Sequence, residues 1–293
     1  MALAISKVIY FITVNYQSGK LIENLIRSIS ANIEVPYEIL IVNNSPEESL
    51  VKCLDKNHVS VIEARENLGF GQACNLGIAS VYSLHQDALI WLINPDAILD
   101  SRADLYVLNC FEENPEIAIL GTQIRDSAGD VWFASGVFDQ WRGYIGHETV
   151  IDTVPVVDKT MSTSWVSGCS MIINLNQFST FPSFDASYFL YYEDVDLCVK
   201  LGREGHVIAV TCDSLVTHQV SSIIGRDTSF MFRHYTFGRL TFLRRHATFL
   251  GFLLYIGYLV GKIALLLPTN FESAKGRWQG LQCFLKNERP GKP

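Results

Sequence analysis

The sequence predicts an α/β fold in which a mostly parallel sheet is flanked by helices. Strand-like apolar runs alternate with helical patterns over roughly the first hundred residues, and this alternation is typical of βαβ units. The chain has 293 residues, is 48% hydrophobic and contains nine prolines. This composition supplies one large domain, or a domain with an appendage, with an ample core.

The first half of the chain gives the clearest order of elements. Ser45-Pro46-Glu47-Glu48 marks one helix start, because it combines an N-cap serine, a proline at the first helical position and a glutamate at the third. Asn43 and Asn44 then lie at a strand-to-helix turn. Strands are predicted at residues 7–14, 38–42, 59–63 and 88–93, and helices at 21–30, 46–54 and 72–84.

The second half shows shorter β-like pieces. With a Gly- and aromatic-rich stretch through Trp141, Tyr144 and His147, they are predicted to form the irregular half of the same domain. A helix is expected to open at Asp194 and to end between residues 202 and 205. Further strands are predicted at 117–121, 131–133, 164–166, 170–173, 206–210 and 215–218.

Charge divides the chain into an acidic body and a basic tail. Residues 1–225 carry 12 Lys+Arg and 27 Asp+Glu, whereas residues 226–293 carry 11 and 3. We therefore predict a domain at 1–225 and a helical, apolar tail at 226–293. The acidic body argues against nucleic acid as a partner, and the basic tail fits an anionic membrane surface.

The tail contains an apolar segment, residues 247–267, with Lys262 as its single charge. The segment is long enough to cross a bilayer. Its less apolar residues form one stripe, which favours a helix lying in the membrane interface, with Arg244, Arg245 and Lys275 near the head groups. A spanning helix and a buried helix are the alternatives. The stripe consists of Thr248, Gly251, Tyr255, Tyr258 and Lys262.

The cysteines and the N-terminus indicate a cytoplasmic protein. The seven cysteines are odd in number, scattered and without a C-x-x-C pair, which is typical of thiols in a reducing compartment. No signal peptide is predicted, because the first apolar run reads as a strand that leads into Asn15.

Three carboxylates stand within four positions in Glu193-Asp194-Val195-Asp196, directly after an aromatic run that ends at Tyr192. Carboxylates this close repel one another and adjust one another's pKa. A general base needs such an adjusted carboxylate. The alternative is that a helix N-terminus simply favours acidic side chains.

A second acidic position, Asp96, follows a predicted buried strand and lies at its carboxyl end, where open α/β sheets bind ligands. A carboxylate there is a good ligand for Mg²⁺ or Mn²⁺ together with substrate phosphates. His218, at the end of another β-like run, could complete the site. The alternatives are a turn aspartate and a structural histidine.

The segment Gly69-Phe70-Gly71-Gln72-Ala73-Cys74 superficially matches a dinucleotide-binding fingerprint. It lacks the third glycine and does not follow a clean strand, so we reject that interpretation. The glycines can still let the backbone approach a ligand, with Asn67 and Asn75 as hydrogen-bonding flanks. A packing role is an equal alternative.

Four motifs in order resemble the family 2 glycosyltransferases, especially the bacterial rhamnosyltransferases. The resemblance covers roughly residues 5–220 and implies a GT-A fold, a nucleotide-sugar donor and a divalent metal. The motifs are Asn67-Leu68-Gly69-Phe70-Gly71 with Asn75-Leu76-Gly77, Asn94-Pro95-Asp96, Trp165-Val166-Ser167-Gly168-Cys169, and residues 188–197.

The resemblance implies roles for the acidic residues. Asp96 matches the last acidic residue of the family's DXD-like metal motif, with Asn94 at its first position in place of the usual aspartate. Asp194 matches the catalytic base of an inverting transfer, with Glu193 and Asp196 tuning it. His218 matches a histidine often found near the metal.

The resemblance also implies binding residues. Those for the nucleotide donor are Val14, Asn15, Asn43, Asn67, Gly69 and Asn75, in addition to Asn94 and Asp96. Asn43 replaces the family's usual aspartate, which leaves the base preference open. Those for the sugar and acceptor cleft are Trp165, Gly168, Cys169 and Tyr192, although a core role for Trp165 is nearly as well supported.

The resulting hypothesis is a metal-dependent, inverting transferase that moves L-rhamnose from dTDP-L-rhamnose to a lipid-linked glycan in cell-surface polysaccharide (O-antigen) assembly. The enzyme would be peripheral to the cytoplasmic face of the membrane. Another hexose or a galactofuranose is the second choice of sugar. A non-catalytic glycan-binding module and a membrane scaffold are the rivals, and no oligomeric state is predicted.

Overall fold

A computed structural model describes residues 8–48, 58–150, 159–219 and 228–292. The strands are β1 (Ile9–Asn15), β2 (Tyr37–Asn43), β3 (Val59–Glu63), β4 (Leu89–Ile93), β5 (Ala97–Leu99), β6 (Ile117–Asp126), β7 (Val131–Phe133), β8 (Ser135–Asp139), β9 (Tyr144–Glu148), β10 (Thr160–Ser162), β11 (Ser170–Asn174) and β12 (Val207–His218). The helices are α1 (Gly19–Asn32), α2 (Phe70–Tyr82), α3 (Ala103–Glu113), α4 (Glu193–Arg203), α5 (Thr228–His246), α6 (Phe249–Leu266) and α7 (Phe271–Lys286).

The main sheet has the strand order β10-β12-β6-β11-β4-β1-β2-β3, with β5 paired to β12 and β7 paired to β6. Strands β3, β2, β1 and β4 are mutually parallel, and β12 is parallel to β6. Strand β11 runs antiparallel to both β4 and β6. The carboxyl ends of β1, β2, β3, β4 and β12 therefore meet at one edge of the sheet, as does the loop that enters β11.

Apolar side chains alternate along the strands and form a core on each face of the sheet. Ile9 and Phe11 of β1 face α1 and α3, whereas Ile12 and Val14 face α2. The core on the α2 face of the sheet also contains apolar residues of α4 and of the three tail helices α5, α6 and α7. The tail therefore packs on the body through this core. The predicted boundary near residue 225 lies outside the described residues.

The structure confirms the predicted strands of the first half to within two residues at each end. Residues 46–47 form a turn, and residues 49–54 of the helix predicted at 46–54 lie outside the described residues. The Glu48 backbone N–H bonds the Ser45 carbonyl, at 2.9 Å, rather than the Ser45 hydroxyl. The Ser45 hydroxyl accepts from the Gln17 N–H at 3.1 Å, and the Glu48 carboxylate accepts from Asn15 and Gly19, so these two side chains do not cap a helix reciprocally. The helix start at Ser45 stays a prediction.

Three predictions for the second half need correction. Residues 164–166 form no strand, since Trp165 makes an isolated bridge to Gly136. The second half is less irregular than predicted around Trp141, where β8 and β9 pair as a regular hairpin. Residues 206–210 and 215–218 belong to one strand, β12, whose register against β6 shifts around Ser214.

The tail folds into three helices, of which α6 is the apolar one. Among the described residues, α6 is the one helix long and apolar enough to be a candidate for crossing a membrane. It buries one row of side chains against the protein, namely Gly251, Tyr255, Leu259 and Ile263. Part of the predicted stripe thus faces the protein, while Tyr258 of that stripe is 59% exposed.

Candidate active site

The residues predicted for the site gather where the parallel strands end. Asn15, Asn43 and Glu63 are the last residues of β1, β2 and β3. Asp96 lies in the turn after β4, and His218 ends β12. The carboxyl edge of an open α/β sheet is the general location of ligand sites in this class.

Asp96 and His218 form a close pair although 122 residues separate them. The Oδ1 atom of Asp96 lies 3.0 Å from Nε2 of His218, and both side chains are about 90% buried. Two features hold the pair: β5 pairs antiparallel with the end of β12, and the Gln219 N–H donates to the Asp96 carbonyl at 2.9 Å. The structure thus brings together the two residues predicted as metal ligands.

The pair has the chemistry of a partial metal site. Within the described part of the chain, the buried Nδ1 atom of His218 has no hydrogen-bond partner. No cluster of three or more His, Cys, Asp or Glu ligands occurs in the same part. A carboxylate with an imidazole suits a divalent ion whose remaining ligands are substrate phosphates and water.

Asp194 lies in the first turn of α4 and is held by backbone donors. Its Oδ2 accepts from the Gly168 N–H at 2.9 Å, and its Oδ1 accepts from the Val195 N–H at 2.9 Å. Burial raises the pKa of Asp194, although these two hydrogen bonds act in the opposite direction. A carboxylate with a raised pKa and a fixed orientation is a suitable general base.

The backbone that leads into α4 is strained. Tyr191 and Tyr192 both adopt left-handed conformations, with φ of 69° and 74°. Such conformations are costly for residues with a Cβ and persist where the surrounding structure imposes them, often at functional sites. The Tyr192 ring packs against Tyr235 and Phe242 of α5, so it lies between the body and the tail.

Glu193 is 4% exposed, and its Oε2 has no hydrogen-bond partner among the described residues. Burial raises the pKa of Glu193, and the charge of Asp194 raises it further. Gly71 of α2 leaves room for this side chain, since a Cβ at Gly71 would lie 3.3 Å from the Glu193 Cβ. The two adjacent carboxyl groups thus share one poorly solvated environment.

The loop before β11 joins the two acidic positions. The Cys169 carbonyl accepts from the Asn94 N–H at 3.0 Å, and the preceding residue, Gly168, bonds Asp194. Burial raises the pKa of the Cys169 thiol, with further contributions from Asp96 and Asp194. This thiol therefore lies near both carboxylates, and the assignment of Gly168 and Cys169 to a sugar and acceptor cleft stays a prediction.

A polar cluster joins the ends of β1, β2 and β3. The Asn15 amide donates to Asn43 Oδ1 at 2.9 Å and to Glu48 at 2.8 Å. The Asn43 amide in turn donates to Glu63 at 2.7 Å. Asn15 and Asn43 are fully buried. The charged members of the cluster are the two glutamates that accept from them, Glu48 and Glu63.

A second cluster orders the loop before α2. The Asn67 side chain accepts from the Asn44 amide and from the Gly69 N–H, both at 2.9 Å. Gly69 has φ of +79°, and a Cβ there would lie 2.1 Å from the Phe189 carbonyl oxygen. Phe70 donates its N–H to that same oxygen at 3.2 Å, so this loop packs directly on the segment that precedes α4.

The remaining predicted residues make packing contacts. The Asn75 side chain exchanges two hydrogen bonds with the Phe184 backbone, at 2.8 and 2.9 Å. The Trp165 ring packs at a tilt of 55° against the Phe133 ring, with 5.2 Å between the ring centroids, and Trp165 is 9% exposed. Val14 is buried in the core beneath the Asn15 cluster.

Three residues near the site were not predicted as site residues. The sequence pattern predicts a helix-capping role for Glu48, the end of a strand for Glu63 and a turn position for Asn44. The signal that could have identified them is their position, since each follows or ends a parallel strand, as Asn15 and Asp96 do.

The sequence is similar to those of known rhamnosyltransferases. The chain is 25% identical over 237 residues to an N-acetylglucosaminyl-diphospho-decaprenol L-rhamnosyltransferase of Mycobacterium tuberculosis, covering 74% of this chain and 77% of that protein. It is also 25% identical over 209 residues to the rhamnosyltransferase WbbL of Escherichia coli K12, covering 67% of this chain and 78% of the other.

Solved structures share the fold at low sequence identity. GalNAc-T7 with UDP, GalNAc and Mn²⁺ superimposes with a TM-score of 0.65 at 14% identity over 82% of this chain, which spans about half (48%) of that structure. A mannosyltransferase of Pyrobaculum calidifontis with GDP-Man and Mn²⁺ gives 0.56 at 13% identity, covering 97% of this chain and 88% of the other. The fold is therefore GT-A, as the resemblance implied.

The family profile described as "Glycosyltransferase like family 2" matches residues 6–236. This match spans all strands of the sheet described above, the Asp96–His218 pair and the helix that carries Asp194. It covers well over half of the 293 residues, and the chain therefore belongs to glycosyltransferase family 2.

Proposed function

We propose that this protein is an inverting glycosyltransferase that moves L-rhamnose from dTDP-L-rhamnose to a lipid-linked glycan acceptor. The observation that carries the proposal is the bond between the Gly168 N–H and the carboxylate of Asp194. It fixes a poorly solvated carboxylate beside the loop that also holds the turn containing Asp96.

The proposed reaction is a single displacement. Asp194 takes the proton of an acceptor hydroxyl as the oxygen forms a bond to the anomeric carbon of the donor. The bond between that carbon and the diphosphate oxygen breaks, and its electron pair leaves with the nucleoside diphosphate. Attack opposite the leaving group inverts the configuration at the anomeric carbon.

We propose that Asp96 and His218 hold Mg²⁺ or Mn²⁺ together with the donor diphosphate. Their 3.0 Å separation and the unpartnered Nδ1 of His218 fit such a site. When bound, the ion would neutralise the charge that develops on the leaving diphosphate. Asn94, at the other end of the same turn, would face the same diphosphate.

The donor nucleotide would bind at the cluster of Asn15 and Asn43, with Glu48 and Glu63 as acceptors for base and ribose donors. The buried amides hold both carboxylates in place. The names of the rhamnosyltransferase relatives support L-rhamnose as the sugar. Another hexose or a galactofuranose is the second candidate.

The proposed acceptor is held on a lipid carrier, and the tail would bring the enzyme to the cytoplasmic face of the membrane. Helix α6 points large apolar side chains away from the protein, including Phe249 (78% exposed) and Leu265 (74%). The exposed Trp141, at the tip of the β8–β9 hairpin, lies beside the start of this helix. The basic tail favours an anionic lipid surface.

Calorimetry with four donors tests the proposal. We expect dTDP-L-rhamnose to bind more tightly than UDP-glucose, UDP-galactose or GDP-mannose, and only with Mn²⁺ or Mg²⁺ present. A preference for another donor would keep the reaction class and replace the sugar. Absence of binding by all four would contradict the transferase proposal and favour a membrane scaffold.

A further inference from the structure

Helix α4, which carries Asp194, is hydrogen-bonded near both of its ends to the junction between α5 and α6. This junction consists of Arg245 and His246, which end α5, with residues 247 and 248 before α6. The junction lies about 50 residues after the acidic motif in the sequence. Each of its hydrogen bonds to α4 involves a side chain of α4.

Asp196 is the contact in the first turn of α4. Its side chain is 96% buried, and its Oδ1 accepts from the Tyr188 hydroxyl at 2.9 Å and lies 2.9 Å from Nε2 of His246. Arg245 lies 3.6 Å from the same oxygen and also bonds Asp185 at 3.1 Å. A carboxylate this deeply buried is stable only when partners of this kind surround it.

Arg203 is the contact in the last turn of α4. Its guanidinium donates to the His246 carbonyl at 2.6 Å and lies 3.0 Å from Nδ1 of the His246 ring. It also donates to the Gln140 side chain at 3.2 Å. The Gln140 backbone carbonyl accepts from the Thr248 N–H at 2.9 Å, so the same contacts fix the start of α6.

His246 therefore touches α4 twice, once on each side of its imidazole ring. Asp194 precedes Asp196 by two residues in the same helical turn. The strained backbone of Tyr191 and Tyr192 lies immediately before the first residue of this helix. A shift of α4 along or around its axis would move the Asp194 carboxylate away from the Gly168 N–H.

We propose that His246 is a positioning residue that holds the Asp194 carboxylate in its reactive orientation through Asp196 and Arg203. The proposal rests on Asp194 being the base in the function proposed above. It also implies that α6, which begins three residues after His246, and the base helix move as one unit. The side-chain hydrogen bonds given above for the Asn15 and Asn43 cluster do not involve the residues of this junction.

The test compares His246→Ala with His246→Gln and with Leu281→Ala. Gln can place an amide nitrogen near the position of Nε2, whereas Leu281 is a buried tail residue on α7, which packs on α5 and α6 rather than on α4. We expect His246→Ala to lower kcat by roughly 10- to 100-fold, the cost of a small misplacement of a reacting group. Donor Kd should stay within about twofold.

His246→Gln should recover most of the lost kcat, and Leu281→Ala should lower the melting temperature while kcat stays close to that of the wild type. Amide hydrogen exchange over residues 193–198 should rise in His246→Ala and not in Leu281→Ala. If His246→Ala fails to fold, Tyr188→Phe removes one hydrogen bond to Asp196 and should reduce kcat with donor Kd unchanged.

Unchanged kcat in His246→Ala would overturn the proposal, and so would equal losses of kcat and donor affinity in His246→Ala and Leu281→Ala. If the wild-type protein transfers no sugar from any donor, the proposed function fails. The exchange measurement would still decide whether the junction orders α4.

Discussion

The backbone N–H of Gly168 donates to Oδ2 of Asp194 over 2.9 Å, and the carbonyl of the following residue, Cys169, accepts from the Asn94 N–H at 3.0 Å. The segments that carry Asp96 and Asp194, about a hundred residues apart, are thereby bonded to two neighbouring residues of one loop. The proposed base and the proposed metal ligand thus share one rigid support at the carboxyl edge of the sheet, which is the arrangement that positioned catalysis needs.

Replacing Asp96 by alanine should weaken metal-dependent binding of the donor. The substitution removes the carboxylate at His218 Nε2 and leaves the imidazole as the remaining protein ligand of the pair. We expect donor affinity in Mn²⁺ to fall at least about tenfold, measured by calorimetry.

Asp87→Ala is the matched control for this substitution. Asp87 is exposed and precedes β4, so it lies at the opposite edge of the sheet from Asp96. Donor affinity should not change in this variant. Equal affinity of Asp96→Ala and the wild type in Mn²⁺ would rule out Asp96 as a ligand.

The transfer rate should depend on pH through the Glu193–Asp194 pair. Burial raises the pKa of both carboxyl groups above their ordinary values of 4.5 and 3.8. A base must be unprotonated, so kcat should rise with pH until it passes the raised pKa of the pair. A pH–rate profile that is already flat from pH 5 upward would show that the pair titrates normally.

The same shift predicts the pH dependence of stability. A carboxyl group whose folded-state pKa is raised contributes stability below its unfolded pKa and loses it as pH rises through the folded pKa. Glu193→Gln removes one such group. Its free energy of unfolding, relative to wild type, should therefore increase between pH 5 and pH 9 in urea titrations, by about 1.4 kcal/mol per unit of raised pKa. If the difference in free energy of unfolding between Glu193→Gln and the wild type stayed constant from pH 5 to pH 9, the pKa of Glu193 would not be raised by burial.

The outer face of α6 should carry membrane binding. Leu253→Ser with Leu254→Ser removes two exposed apolar side chains, each worth about 1.5–3 kcal/mol when buried in an apolar phase. Flotation with phosphatidylcholine and phosphatidylglycerol vesicles should show at least about a tenfold loss of binding. Leu84→Ser, at a residue that is 75% exposed beyond the end of α2, should bind as the wild type does. Unchanged binding of the double variant would place the anchor elsewhere.

Gly69→Ala should destabilise the protein. Its φ of +79° is unfavourable for alanine, and the new Cβ would lie 2.1 Å from the Phe189 carbonyl oxygen. Gly129→Ala is the control, since its φ is +93° with no heavy atom within 4 Å. The control should cost about 1–2 kcal/mol from backbone strain, and Gly69→Ala about 1–3 kcal/mol more from the collision. If the two variants lost equal stability in thermal unfolding, the loop at Gly69 would move to accommodate the new Cβ without further cost.

Much of the fold could be predicted from the sequence because its signals are local. The apolar runs of β1–β4 indicate the parallel sheet. The polar residues after these runs indicate the edge that carries the candidate site, and the positions of Asp96 and His218 at strand ends predict that the two residues pair. The Gly168–Asp194 bond joins two predicted motifs, but no local pattern specifies it.

The errors and omissions have physical reasons. Glu48 fits a helix-capping pattern, yet its carboxylate accepts a hydrogen bond from the Asn15 amide at the end of β1. Asp196 reads as one more carboxylate of an acidic cluster, whereas its partner His246 lies 50 residues away. Such pairings depend on tertiary packing, which periodicity and spacing do not encode.

The central claim is that Asp194 is the base of an inverting sugar transfer. The most direct test measures the single-turnover rate of Asp194→Asn beside the wild type, with dTDP-L-rhamnose and a lipid-linked acceptor, and the anomeric configuration of the product by NMR. We expect an inverted product from the wild type, and a rate at least about 10²-fold lower in the variant with donor affinity retained. A normal rate in Asp194→Asn, or a product that keeps the donor's anomeric configuration, would contradict the account.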